Sequence, residues 1–401
     1  MAPATVCYRC DARFGEDRVR CDCGEPLWLD HDAAGFDLPA EAASPGMWRY
    51  GDHLPIGVPD GVASAAGGTP LIRSRRLDEV AGCRVFVKDE GENPTGSYKD
   101  RGSAVAVSRV CQRGEDAVGT VSYGNMAMST AAHAASEGRP CAVLVPADVP
   151  AGRLELIDQY DPTILRVEGD YGELYADALE LTRTLPIRFL LSDDPWRISG
   201  YRTVLFEIVE ALHPEDPDAI VLPASSGGFA SGVWRGIRDL QEAGLVDQPP
   251  RLYLVQTAAS DPITRAYEAG RDEVTALPPA DVGETIARSI GNPDPPSGTR
   301  ALTAVRETGG AVCSVTDEAI ETARRQFARR AGLCVEPASA TTLAAAARLT
   351  ECGEVETGES VVLVPTGTGF KELGTGATPV ESESVTRESL RTRIEGVDSG
   401  H

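Results

Sequence analysis

The chain has 401 residues and a formal net charge of −23, from 61 acidic and 38 basic side chains. A surface this acidic repels nucleic-acid phosphates and anionic membranes, so neither is an expected partner. No apolar run approaches the ~20 residues that span a bilayer, and the start MAPATVCYRC lacks a signal-peptide pattern, so a cytoplasmic protein is expected.

Four of the ten cysteines fall at the amino terminus, as Cys7-x2-Cys10 and Cys21-x-Cys23. Two close pairs ten residues apart suit a tetrahedral zinc site with four thiolates. A disulfide framework and an eroded ribbon are the alternatives. With all four ligands used, the metal would be structural. Residues 1–28 therefore read as a zinc ribbon. Between Cys7 and Glu25 it carries four arginines and five acidic residues, which leaves no basic patch for a nucleic acid. Residues 29–69 are rich in Pro, Gly and Ala and read as a linker with short turns.

From about residue 70 the pattern alternates strand and helix. RVFVKDE is a strand, Asp100 to Arg113 a helix, AVGTV a strand, Met126 to Glu137 a helix and CAVLVP a strand. TILRV, RFLL, AIVLPA, RLYLVQ, GAVCSV and SVVLVP continue the series. Short apolar strands between amphipathic helices imply an α/β protein whose parallel sheets are covered on both faces. This core runs over 70–375, and residues 376–401 read as a mobile, charged tail. The acidic, lysine-poor surface suits a salt-rich cytoplasm, where repulsion is screened. Charge-driven disorder is excluded because the apolar segments recur along the core.

Only three lysines occur against 35 arginines, and one sits in Asn93-Pro94-Thr95-Gly96-Ser97-Tyr98-Lys99-Asp100-Arg101-Gly102, at the entrance to a helix. Arginine cannot act as a neutral amine near pH 7, so a lysine kept there is a candidate nucleophile; a solvated surface lysine is the bland alternative. Three loops after strands carry small polar residues: Ser122-Tyr123-Gly124-Asn125, Ser225-Ser226-Gly227-Gly228-Phe229-Ala230, and Thr366-Gly367-Thr368-Gly369. The second, entering a helix, reads as a phosphate cradle or as a turn that permits close packing. No Gly-Lys-Ser/Thr follows any glycine loop, Gly228 to Gly232 misses a nucleophile elbow by one residue, and the five histidines show no metal spacing. A reactive lysine with a phosphate cradle suits pyridoxal phosphate, a phosphorylated carbonyl cofactor.

The four-cysteine start, NPTGSYKDRG, SYGN, PASSGGFASG, SIGNP, EPASA and VPTGTGFKE together resemble the threonine synthase family. That family lies within the fold type II, tryptophan synthase β-like pyridoxal phosphate enzymes, beside serine/threonine dehydratases and cysteine synthases. The resemblance implies two open parallel-sheet α/β domains with the cofactor at their interface, the smaller inserted at about 100–200. It implies that Lys99 carries the Schiff base and later moves the α-proton, and that Asn125 meets the ring oxygen. It assigns the cofactor phosphate to Ser226, Gly227, Gly228, Phe229 and Ala230, and the pyridine nitrogen to Thr366. The substrate would meet Ser122, Tyr123, Ser192, Asp194 and Arg197. The implied reaction converts O-phosphohomoserine and water to threonine and phosphate; a homodimer is compatible with the resemblance. Leu191, Asp194 and Met126 stand where polar groups are usual, and Asp194 beside a phosphate would oppose it. An elimination or replacement enzyme acting on another amino acid is therefore the alternative. A non-catalytic binding module is a third reading, against which the retained Lys99 argues.

Overall fold

The computed structural model describes residues 3–372, except 32, 40–43, 148, 150, 151, 153, 169 and 170, with a few single positions beyond 383. Apart from those positions, the tail expected over 376–401 lies outside the described residues. The chain forms three sheets. A small antiparallel one has the order β2-β1-β3, from β1 (Thr5–Cys7), β2 (Arg13–Phe14) and β3 (Leu27–Leu29).

The largest sheet contains β4 (Leu71–Arg73), β5 (Arg84–Lys88), β10 (Ala219–Pro223), β11 (Arg251–Thr257), β12 (Val312–Val315) and β13 (Ser360–Leu363), in the order β12-β11-β10-β13-β5-β4. Between β5 and β10 the chain builds a four-stranded parallel sheet, β8-β7-β6-β9. Its strands are β6 (Ala117–Val121), β7 (Cys141–Pro146), β8 (Thr163–Val167) and β9 (Ile187–Phe189).

One expectation needs correction. The large sheet is mixed, because β4 pairs antiparallel to β5. Only residues 74–83 join the two strands, fewer than the dozen or so that a parallel crossover needs.

Side-chain alternation explains why the large sheet is buried on both faces. Phe86, Ile220, Leu222, Leu252, Leu254 and Val362 enter one core cluster. Their neighbours Val85, Val87, Ala219, Val221, Tyr253, Val255, Val361 and Leu363 enter the other. Each fully buried Val, Leu or Phe contributes roughly 1.5–3 kcal/mol. The segment read as a linker carries two short 3-10 helices, Gly46–His53 and Gly61–Ala65, and buries Met47, Trp48 and Tyr50. Trp48 Nε1 donates to the Ala63 carbonyl at 2.8 Å, pinning one turn to the other. Among the described residues no helix is long and apolar enough to cross a membrane.

Candidate active site

A cavity of about 610 Å³ lies where loops leave the carboxyl ends of strands in both large sheets. Ser122 to Met126 follow β6 and Ala224 to Gly227 follow β10, while Lys99 and Thr366 come from the segments after β5 and β13.

Lys99 is the first residue of the helix Lys99–Gln112, one position earlier than the sequence pattern suggests. Its approach is fixed by backbone. Ser97 bridges Gly367, the Tyr98 N–H donates to the Thr366 carbonyl at 3.0 Å, and the Thr368 N–H donates to Gly96 at 3.0 Å. Behind it, buried Asp100 accepts from the Thr95 N–H at 2.6 Å, the Thr95 hydroxyl at 2.8 Å and the Ser129 hydroxyl at 2.6 Å. His133, read as a packing residue, lies with Nε2 at 3.3 Å from the same carboxylate. Burial alone would raise the Asp100 pKa, but these donors outweigh it and hold the carboxyl below its ordinary range. Buried Arg101 pairs with Glu90 at 2.7 Å and with Glu207 at 2.6 Å, and Lys88 joins Glu207 at 2.6 Å. The residues flanking Lys99 therefore hold it in place.

The Lys99 ammonium lies 4.5 Å from the Tyr98 ring centre and 5.8 Å from that of Tyr201. Burial pushes its pKa down, the Arg197 charge adds to the effect, Glu336 opposes it, and the result is about 7. Near neutral pH a large share of this amine is uncharged, the form a nucleophile or base requires.

The helix Gly228–Glu242 starts at the cavity, with Gly227 before it at φ 83°. A Cβ at Gly227 would strike the Ser297 carbonyl, and one at Gly228 would strike the Ser192 carbonyl. Only glycine permits this close approach. The first bond of the helix runs from the Ser231 N–H to the Gly227 carbonyl at 3.0 Å. The N–H groups of Phe229 and Ala230, which line the cavity, are thus not used by the helix. With the helix dipole, they could hold an anion. Ser226 and Gly227 also line the cavity; Gly228 supports it from behind. The Tyr98 and Phe229 rings pack at 4.1 Å between centres beside Lys99.

Asn125 also begins a helix, Asn125–Ser136, and is held from two sides. Its Nδ2 donates to Glu336 at 2.8 Å, and its Oδ1 accepts from Lys371 Nζ at 2.7 Å. Lys371 donates as well to the carbonyls of Thr95 at 3.1 Å and Gly96 at 2.9 Å. Thr366 Oγ1 lies 3.2 Å from both Glu336 Oε1 and Ser339 Oγ. Glu336 and Lys371 were given no role by the sequence. EPASA and GFKE flagged both, and lysine scarcity applied equally to Lys371.

Ser122, Tyr123 and Ser192 line the cavity. Asp194 and Arg197 do not. Asp194 caps the helix Pro195–Tyr201 by accepting from the Trp196 N–H at 2.9 Å. Burial raises its pKa, and Arg188 and Arg197 pull it back. The Arg197 guanidinium is held at 2.8 Å by the Ser103 hydroxyl, at 2.6 Å by that of Thr130 and at 3.2 Å by the Leu190 carbonyl. Its charge still lowers the Lys99 pKa.

At the amino terminus the sulfurs of Cys7, Cys10, Cys21 and Cys23 all lie within 4.8 Å of one another, and none forms a disulfide. This module leans on the helix Gly228–Glu242, where Trp28 Nε1 donates to the Ser231 hydroxyl at 2.8 Å, and on the turn before Pro195–Tyr201, where Arg20 pairs with Asp193 at 2.7 Å.

Residues 62–367 match the model of the pyridoxal-phosphate dependent enzyme family, and the chain belongs to that family. It is 34% identical over 376 residues to the threonine synthase of Methanocaldococcus jannaschii, covering 91% of this chain and 92% of that protein. To the threonine synthase of Mycobacterium leprae it is 36% identical over 344 residues, covering 84% of this chain and 91% of that protein. The fold is shared with maize serine racemase, at a TM-score of 0.65 and 23% identity over 82% of this chain and 93% of that one. The residues present fit the cofactor. The Gly227–Gly228 cradle leaves backbone room and free N–H groups for a phosphate, and Lys99 offers an amine to a carbonyl.

Proposed function

We propose that the chain is a threonine synthase, which turns O-phosphohomoserine and water into threonine and phosphate. One observation carries the reading: a lysine whose pKa is lowered to about 7 shares a cavity with a helix amino terminus open to phosphate, in a chain similar to threonine synthases over most of its length. In this reading Ser226 to Ala230 hold the cofactor phosphate, Asn125 orients the ring and Thr366 faces the ring nitrogen. The bound cofactor would withdraw electrons from the substrate's α-carbon. Lys99 Nζ takes and returns the proton there, its neutral form available near pH 7.

A second reading, elimination or replacement on an unphosphorylated amino acid, is favoured by Met126 in the cavity wall and by Asp194 and Arg197 lying outside it. Assay of the holoenzyme with O-phosphohomoserine separates the two. Threonine and phosphate formed in equal amounts support the first. Oxo-acid release from serine or threonine, without phosphate release, supports the second.

We also propose that the four amino-terminal cysteines hold a structural zinc. Zinc–sulfur bonds of about 2.3 Å set sulfur–sulfur edges of about 3.8 Å, and three of the pairs here lie at 3.5, 3.7 and 4.0 Å. Metal analysis of the purified protein beside Cys21→Ser tests this: one zinc per chain is expected in the first and a clear loss in the second.

A further inference from the structure

Arg300 is fully buried on the helix Gly298–Glu307 and takes no part in the lysine chemistry. Its Nη1 donates to the carbonyls of Pro26 and Leu27, each at 3.2 Å, and its Nη2 to the Ser297 hydroxyl at 3.0 Å. All three acceptors are neutral, and Nε has no partner among the described residues. Burial lowers the pKa to about 10, so the guanidinium is still charged at pH 7. A buried charge bonded to no carboxylate lowers stability, so packing alone does not account for it.

Its position does. Ser297, one of its acceptors, lies against the glycine turn. The Ser297 N–H donates to the Ser226 carbonyl at 2.8 Å, and the Ser297 carbonyl is what a Cβ at Gly227 would strike. The side chain of Ala301, next to Arg300, would stand 3.1 Å from the same Cβ. The other arm of the guanidinium grips the amino-terminal module just before Trp28, which independently holds Ser231 in the first turn of the helix Gly228–Glu242.

We propose that Arg300 is a positioning residue for the cofactor phosphate: it clamps Ser297 to the amino-terminal module and so fixes the Ser226–Gly227 turn. The proposal rests on the assignment of Ser226 to Ala230 to that phosphate and on nothing about the substrate. Clamping holds the free N–H groups of Phe229 and Ala230 in one place. The guanidinium charge behind the turn adds to the helix dipole in favouring an anion there.

Absorbance titration of the full-length apoprotein with pyridoxal phosphate and with pyridoxal, which lacks the phosphate, tests this. The wild type should prefer the phosphorylated form. Arg300→Met should lose roughly 10- to 100-fold of that preference, as when a charge-assisted hydrogen bond is removed. Pyridoxal should bind both proteins alike. Arg300→Lys keeps the charge without the planar fork and should restore part of the preference. Ser297→Ala cuts the same link while leaving the module's contact with Arg300 intact, so it decides the matter if Arg300→Met does not fold. Joining the two substitutions should lose little more than the larger single loss. Equal weakening of both ligands, an unchanged preference in the variants, or additive losses would overturn the proposal. A wild type that binds both ligands equally would overturn the phosphate assignment of Ser226 to Ala230 itself, and the proposal with it.

Discussion

Around Lys99 the neighbouring charges all have partners: Asp100 is bonded to Thr95 and Ser129, Arg101 to Glu90 and Glu207, Lys371 to Thr95, Gly96 and Asn125. Elsewhere in the lining of the same cavity Arg288, in the segment before β12, is exposed. The first region is built from backbone bridges, glycine approaches and a buried ion network. The second is built from side chains on loops. The difference teaches how such a cavity divides its tasks. Lys99 and the glycine turn are held in fixed geometry by buried networks and close backbone approaches. The exposed lining side chains on the loops can change without disturbing that frame.

The comparison can be broken first at the rigid end. Gly227→Ala places a Cβ against the Ser297 carbonyl in a left-handed conformation, which costs at least about 1–2 kcal/mol before any steric shift. Retention of cofactor through gel filtration should fall sharply and thermal stability should drop. Full retention would mean that the cradle is not tight.

Lys371→Met should have the next largest effect. It frees Asn125 and two carbonyls near Lys99, so kcat should fall roughly 10- to 100-fold, with a displaced cofactor absorbance and little change in KM. Arginine should not rescue it, because a planar fork does not match three acceptors held by one ammonium. A variant altered in KM alone would place Lys371 in substrate binding instead.

The smallest effect is expected at Asp194. Asparagine keeps an acceptor for the Trp196 N–H, so stability should change by less than about 1 kcal/mol. The kcat/KM for O-phosphohomoserine should stay within about twofold, since the side chain does not line the cavity. A large gain with Asp194→Asn would return its charge to the substrate's surroundings.

These outcomes bear on what could be read from the residues alone. Lys99 stood out as a candidate because lysine is rare here and arginine cannot replace a neutral amine. The glycine turn at the helix start stood out as either a phosphate cradle or a close-packing turn, because consecutive glycines permit both. Asp194 and Arg197, expected at the substrate by resemblance, lie outside the cavity lining: a matched motif does not say which way a cap residue or one face of a helix as short as Pro195–Tyr201 turns. Packing decided it, turning Arg197 toward Ser103 and Thr130, residues far off in the chain. The network of Arg101 with Glu207 was hidden for the same reason, since it joins elements 106 positions apart. The antiparallel edge strand β4 went unread because three residues carry too little periodicity to announce a strand.

Borohydride reduction of the holoenzyme, followed by peptide mass mapping, tests the central claim most directly, since only Lys88, Lys99 and Lys371 are available. The account predicts the reduced cofactor's mass on the Lys99 peptide. It also predicts a sign for pH. The lowered pKa leaves the amine neutral above about 7, so capture of cofactor by the apoprotein should quicken through that pH and then level off, where an ordinary lysine would keep gaining toward 10.5. Cofactor mass on Lys88 or Lys371, or on no lysine at all, would contradict the account.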